Sequence, residues 1–176
     1  MILSGYEIKK QLMAGKVKIE GFDEKQLGPN SYNLRLGSNL LVYKNEALDA
    51  KKDNEVEKLH IPPEGILLIP GRLYLGETME YTETEGFVPM VEGRSSVGRL
   101  GINIHATAGF GDVGFHGRWT LELSCVQPVK IYPGMEICQI YYHTIQGEVK
   151  KTYAGKYQGS EGVKSSRLWQ DFGGKR

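Results

Sequence analysis

The stretch Tyr32-Asn33-Leu34-Arg35-Leu36 decides the fold, because its large apolar side chains recur at every second position with Asn33 and Arg35 between them. Successive side chains of an extended chain point to opposite faces, so this pattern describes a strand with one buried and one wetter face. Asn39–Tyr43 continues the extended pattern. Toward the N-terminus the period changes. Ser4 with Glu7 three residues on forms a capping box, Ile8 and Leu12 share one face, and Gly15 supplies a stop; the spacing predicts one helix there, the only long one in the chain. Toward the C-terminus strands follow strands, over Ile66–Ile69, Leu73–Thr78, Phe87–Val91, Trp119–Val126 and Glu136–Thr144. Turn signals divide them, among them Pro62-Pro63-Glu64-Gly65, Pro70-Gly71 and Tyr132-Pro133-Gly134-Met135. Such spacing argues for a closed or folded-over β architecture. Two segments stand apart. Asn45–Leu59, with KKDNEVEK at its centre, is the most polar internal stretch and reads as a solvated loop, and the tail from Gly155 has glycine, serine and charge but little apolar periodicity, which suggests a mobile segment.

A chain of 176 residues is long enough for one domain with a real core and short for two. Its 22 basic and 21 acidic residues leave a net charge of +1, so bulk charge does not hold it to nucleic acid, and any basic requirement is local. The start MILSGYEIKK lacks a basic region followed by a long apolar run, and no stretch approaches a membrane-spanning length. A soluble, cytoplasmic protein is expected. Cys125 and Cys138 each lie in an apolar, β-favouring run and read as buried thiols of a reducing compartment.

Several familiar signatures are missing. Zinc-dependent base deaminases carry H-x-E followed by P-C-x-x-C, and neither is present; His60, His105, His116 and His143 have no metal-ligand spacing to one another or to a cysteine. No G-x-x-x-x-G-K-[ST] phosphate loop occurs. The G-x-G-x-x-G string at Gly109–Gly114 runs on into Phe115-His116-Gly117-Arg118-Trp119-Thr120, a turn and then a strand, whereas a dinucleotide fingerprint opens a helix.

The informative region runs from Gly93 to Glu122. Gly93-Arg94-Ser95-Ser96-Val97-Gly98-Arg99-Leu100-Gly101 packs two guanidinium groups, two hydroxyls and three glycines into nine residues. Planar arginine forks, hydroxyls and a short helical turn after the serines together make phosphate-binding chemistry, although a polar strand-to-turn connection has the same composition. His105–Gly117 is a glycine-rich turn carrying Asp112, which is either a turn former or a functional carboxylate. In Trp119-Thr120-Leu121-Glu122-Leu123 the apolar residues share one face and Thr120 and Glu122 the other, so Glu122 is either exposed or lines a cavity.

GRSSVGRLG at 93–101, HATAGFGDVGFHG at 105–117, WTLEL at 119–123 and the Tyr-rich segment ending GKYQGSEG at 155–162 resemble the dCTP deaminase family, a branch of the trimeric dUTPase superfamily; MILSGYEI and NSYNLRLG extend the likeness over nearly the whole chain. The resemblance implies a single mainly β domain over 1–176, a distorted, jelly-roll-like β-barrel (a β-clip) with an N-terminal helix, assembled as a homotrimer with nucleotide sites between subunits. It places Arg94 and Ser96 on phosphates, Ser95 and Arg99 beside the reacting base and its water, and Val97 and Gly98 within the same nucleotide-binding turn. Asp112 falls near the deoxyribose, the backbone at Thr120 and Leu121 on base or sugar, and Glu122 on the catalytic glutamate, while Tyr153 and Lys156 close over the triphosphate as part of a lid from about residue 153. Two departures stand out: Ser160 where several relatives have Gln, and Gly111 where the dUTPase version has an apolar residue before the Asp.

The activity so implied is hydrolytic deamination of dCTP to dUTP and ammonia in pyrimidine deoxynucleotide synthesis, with Glu122 moving the protons, Ser95 and Arg99 orienting the water, no zinc, and Mg²⁺ held through the triphosphate. Ala108-Gly109-Phe110-Gly111-Asp112 also resembles the dUTPase segment whose Asp activates water, so a bifunctional enzyme giving dUMP and pyrophosphate, or a dUTPase alone, are the alternatives, with a non-enzymatic nucleotide-binding regulator behind them. Feedback by dTTP near His105–Ala108 is a family habit. No nucleic-acid or membrane partner is implied.

Overall fold

Ser4 holds an extended conformation, and its Oγ accepts the Glu7 amide at 3.2 Å, which starts α1 (Gly5–Met13). The reciprocal half of the capping box is not made, because the Glu7 carboxylate accepts from Gln11 Nε2 at 2.6 Å one turn further on. At the far end Gly15 takes a φ of 71°, and the amides of Gly15 and Lys16 return to the carbonyls of Leu12 and Gln11. That closure needs left-handed backbone, which glycine adopts without a steric penalty.

The computed structural model describes residues 1–173; the expected domain and its C-terminal stretch also span 174–176, which lie outside the described residues. After α1 the chain forms β1 (Val17–Ile19), β2 (Tyr32–Arg35), β3 (Asn39–Tyr43), β4 (Val56–His60), β5 (Ile66–Leu68), β6 (Tyr74–Glu77), β7 (Thr82–Thr84) and β8 (Phe87–Gly93). It continues through the single turn α2 (Ser95–Gly98), then β9 (Ile102–Asn103), β10 (His116–Gly117), β11 (Thr120–Cys125), β12 (Val129–Ile131) and β13 (Glu136–Thr144). The strands pair as β2-β13-β8, as β4-β3-β6-β11-β9, as β1-β7-β10 and as β12-β5. In the first sheet Ile140 lies opposite Tyr32 on one side and Val91 on the other. The alternation read from β2 is the real one: Tyr32, Leu34 and Leu36 are fully buried, and such side chains contribute about 1.5–3 kcal/mol each on leaving water.

The mainly β architecture with an N-terminal helix matches the expectation, and the closed barrel does not. Among the described residues four separate antiparallel sheets pack around one core, because many strands of two to four residues end at turns before they could complete a ring. The polar stretch Asn45–Leu59 is only partly a loop. Its end is β4, paired to β3 in a register that sets Val56 opposite Tyr43 and His60 opposite Asn39. β4 is the outer strand of its sheet and largely exposed, so an edge strand carries the composition of a loop. The nominally wet face of β2 is also partly internal. Arg35 donates from its amide and its Nε to the wholly buried Glu80, at 2.9 and 2.7 Å, and that hydrogen bond holds the guanidinium pKa above its usual value.

Candidate active site

β11 alternates as the sequence predicts. Leu121, Leu123 and Cys125 are buried, while Thr120, Glu122 and Ser124 occupy the opposite, half-buried face. β6 fixes the register by setting Leu75 opposite Glu122, and the Glu122 amide donates to the Ile104 carbonyl at 2.9 Å. The Glu122 carboxylate is not idle on a surface: its Oε2 accepts the Ala106 amide at 2.8 Å. Thr120, Glu122, Asp112 and Tyr153 all line one cavity of about 460 Å³.

The cavity has aromatic walls. Phe115 packs against Trp119 with centroids 4.8 Å apart and against Tyr153 edge-on at 5.8 Å. Flat apolar rings beside two carboxylates suit a ligand with one planar and one polar end. Asp112 stands exposed at the rim, on a turn closed by Phe115 N–H donating to the Asp112 carbonyl at 3.1 Å. The Gly111 departure has a steric cause here, since a Cβ would lie 2.4 Å from Trp119 Cη2 and 2.9 Å from the Pro89 carbonyl oxygen.

The tail supplies the remaining wall, through Tyr153, Tyr157, Ser160 and Lys164 to Ser166. Its described residues make hydrogen bonds to the segment 113–120. Tyr153 N–H donates to Val113 O at 2.7 Å, Gly159 N–H to His116 O at 2.9 Å, and Lys164 N–H to Thr120 Oγ1 at 3.2 Å, while Arg118 N–H donates to Ser160 O at 2.7 Å. These contacts were not anticipated in the segment read as mobile from Gly155 onward. The tail is held by backbone hydrogen bonds to 113–120, which leave no hydrophobic period in a sequence. Ser160 is buried, bridges to Gly117, and donates its hydroxyl to Tyr157 O at 2.7 Å.

The other expected residues lie elsewhere. Arg94, Ser95, Ser96, Val97, Gly98 and Arg99 do not line this cavity. Arg94 caps α2 and forks onto Glu136, with Nη2 2.9 Å from its Oε2 and Nη1 donating to its carbonyl at 3.1 Å. Val97 is the buried anchor of the turn, while Ser95, Ser96, Gly98 and Arg99 are exposed. Leu121 points its side chain into the core, so only its backbone can meet a ligand. Lys156 pairs with Asp171 at 2.6 Å, outside the cavity. Contributors that were not expected include the Ala106 amide, Arg118 and Tyr157. Arg118 shares the β11 face of Thr120 and Glu122, so the same alternation would have found it; the Ala106 amide carries no sequence signal.

Both cysteines are free and buried, as read. Burial pushes the Cys138 thiol far above its usual range. Among the described residues no three His, Cys, Asp or Glu side chains are grouped to hold a metal ion, and no helix is long and apolar enough to cross a membrane.

A family model described as dCTP deaminase-like matches residues 2–145. A protein of Hathewaya histolytica named "dCTP deaminase, dUMP-forming" is 62% identical over 172 residues, covering 98% of this chain and 99% of its own length. A protein of Cytophaga hutchinsonii with the same name is 58% identical over 172 residues, with 98% and 99% covered. Among solved structures, 2'-deoxycytidine 5'-triphosphate deaminase from Agrobacterium tumefaciens superposes with a TM-score of 0.64 over 80% of this chain and 47% of that one, so this chain spans about half its length. At 23% identity that likeness speaks for the fold alone.

Proposed function

The chain belongs to the dCTP deaminase-like family, and from that premise we propose that it is a hydrolase that converts dCTP to dUMP in two steps at the cavity lined by Glu122 and Asp112. The observation that carries the first step is Glu122 itself, a half-buried carboxylate fixed by the Ala106 amide on a cavity wall and not on a free surface. Deamination of the cyclic amidine needs water to lose a proton as it adds to C4, N3 to gain one, and the amino group to leave as ammonia. One carboxylate in reach of C4 performs these transfers in turn, and dUTP and ammonia result. Ser95 and Arg99 orient the water in this reading.

The second step extends the dUTP-releasing reading. The relatives' name specifies dUMP, and reaching dUMP from dUTP requires a second water to displace pyrophosphate from the α-phosphate. Asp112, exposed at the rim, is our candidate base for it. The substrate is the magnesium complex of dCTP, the ion riding on the triphosphate. dTTP shares deoxyribose and triphosphate with the substrate and is proposed to compete for the same place.

The basic turn at 94–99 lies off the cavity of its own chain, with Ser95, Ser96 and Arg99 exposed. We assign it to a nucleotide bound at a neighbouring copy, with Arg94 and Ser96 on the triphosphate and Ser95 and Arg99 beside the water at C4, so that a site is complete only in the homotrimer. Tyr153 and Lys156 belong to a tail that acts as lid of this single domain. Incubation with magnesium and dCTP, following ammonia, pyrophosphate, dUTP and dUMP, tests the scheme. Equal ammonia, pyrophosphate and dUMP are expected. Ammonia with dUTP and no pyrophosphate would reduce the function to deamination, and no ammonia from dCTP would overturn it.

A further inference from the structure

A tail without an apolar core has to be held by hydrogen bonds, and one side chain contributes both donors and an acceptor. Gln158 Nε2 donates to Gly114 O at 2.7 Å and to Tyr153 O at 3.1 Å, while its Oε1 accepts His116 N–H at 3.2 Å. The amide thus ties the start of the tail to the segment directly after Asp112. The two surfaces interlock closely there: Gly114 has a φ of 84°, and a Cβ on it would lie 2.7 Å from Thr152 Cβ. Gln158 does not line the cavity, yet the residues on either side of it, Tyr153, Tyr157 and Ser160, do.

We infer that Gln158 is a positioning residue, a latch whose grip decides whether dUTP formed in the first step is cleaved or escapes. The inference rests on the two-step reading. Once ammonia has left, dUTP partitions between dissociation and attack at its α-phosphate, and only the ratio of the two rates sets the product. The docked tail forms one wall of the cavity and so governs dissociation. Gln158 holds the Gly114 carbonyl and the His116 amide, and through the Tyr153 carbonyl it holds the residue whose own amide donates to Val113 O, so the latch also steadies the segment that follows Asp112. Loosening the latch speeds escape and slows attack, and both effects favour dUTP.

The test is Gln158→Glu, which keeps size and shape but turns an acceptor toward the Gly114 and Tyr153 carbonyls. With both donated hydrogen bonds replaced by carboxylate–carbonyl repulsion and only the bond from His116 N–H kept, KM for dCTP should rise about tenfold and free dUTP should rise about tenfold over the wild-type level. Hydrogen exchange at the Tyr153 and Gly159 amides should accelerate, with the thermal unfolding transition still cooperative. Gln158→Leu, which removes the bonds without adding charge, should act in the same direction and more weakly. Accelerated exchange with dUMP still the only product would overturn the inference, as would unchanged exchange and unchanged KM. Wild-type enzyme releasing only dUTP is a separate outcome: it refutes the two-step reading, and an unchanged KM and exchange rate in Gln158→Glu would then refute the latch as well.

Discussion

Replacing Glu122 by Gln isolates proton transfer from every other property of the site. The side chain is held by one hydrogen bond from Ala106 N–H at 2.8 Å, and its backbone by β11 pairing to β6 and by the bond to Ile104 O at 2.9 Å. Gln has the same shape and can turn its carbonyl oxygen toward the same amide. The strand, the cavity wall and the fold therefore persist, with stability changed by no more than about 1 kcal/mol, the difference between accepting as an anion and as an amide. The capacity to take a proton from water is lost. A positioned general base accelerates its step by about 10² to 10⁴, so the barrier should rise by about 3–5 kcal/mol and ammonia release should fall by that factor. Binding of dCTP should stay within about threefold, because the lost interaction belongs to the transition state. Ammonia release and calorimetric titration of dCTP measure the two quantities separately. Ammonia release within tenfold of wild type would refute the role. A hundredfold loss of affinity with little change in turnover would make Glu122 a binding group instead.

Three further outcomes are expected. Asp112→Asn should leave ammonia release largely intact while dUTP accumulates and pyrophosphate falls; equal loss of both products would remove Asp112 as the base of the second step. Glu122→Gln and Arg99→Ala subunits, each nearly inactive alone, should recover activity when co-expressed, since some sites would combine an intact glutamate from one copy with an intact arginine from another. Mixtures no more active than either parent would place both groups in one chain. Stability should also fall in alkali: the buried Cys138 thiol stays protonated in the folded chain, whereas the unfolded thiol ionises near 9.0, so the stabilisation is full below that pH and is lost above it at up to about 1.4 kcal/mol per pH unit. Tyr142 adds the same loss above 10.0. Cys138→Ala should flatten the first part of that decline in urea melts, and an unchanged slope would show that burial of the thiol is not its cause.

The parts legible in the sequence were those written as periodicity. Alternation in Tyr32–Leu36 and Trp119–Leu123 gave the strand, the buried face and the shared face of Thr120 and Glu122, because side-chain direction in a strand depends only on parity. Three-residue strands such as β1, β7 and β12 are too short to show a period. β4 was hidden by its edge position, which rewards charge. The contacts of the tail were hidden because main-chain groups and two single side chains, Gln158 and Thr120, make them, and none of these leaves a period in the sequence. For the same reason the Ala106 amide, which distinguishes a fixed carboxylate from a free one at Glu122, could not be read in advance.

The positions of the two carboxylates also bear on how one cavity can serve two hydrolyses. Glu122 is half-buried on a strand and fixed by a backbone amide; Asp112 is exposed on a turn beyond Gly111, where no side chain fits. The atoms they would activate water against, C4 of the base and the α-phosphorus, lie at opposite ends of a nucleoside, so a single bound pose can present each to its own carboxylate. The planar base would enter among Phe115, Trp119 and Tyr153, and the triphosphate would remain at the rim. Arg118 and Lys164 line the cavity of their own chain, whereas Arg94 and Arg99 do not. Full charge neutralisation of the triphosphate would then draw on a second copy as well, so dilution to isolated subunits should weaken binding of dCTP more than binding of deoxycytidine.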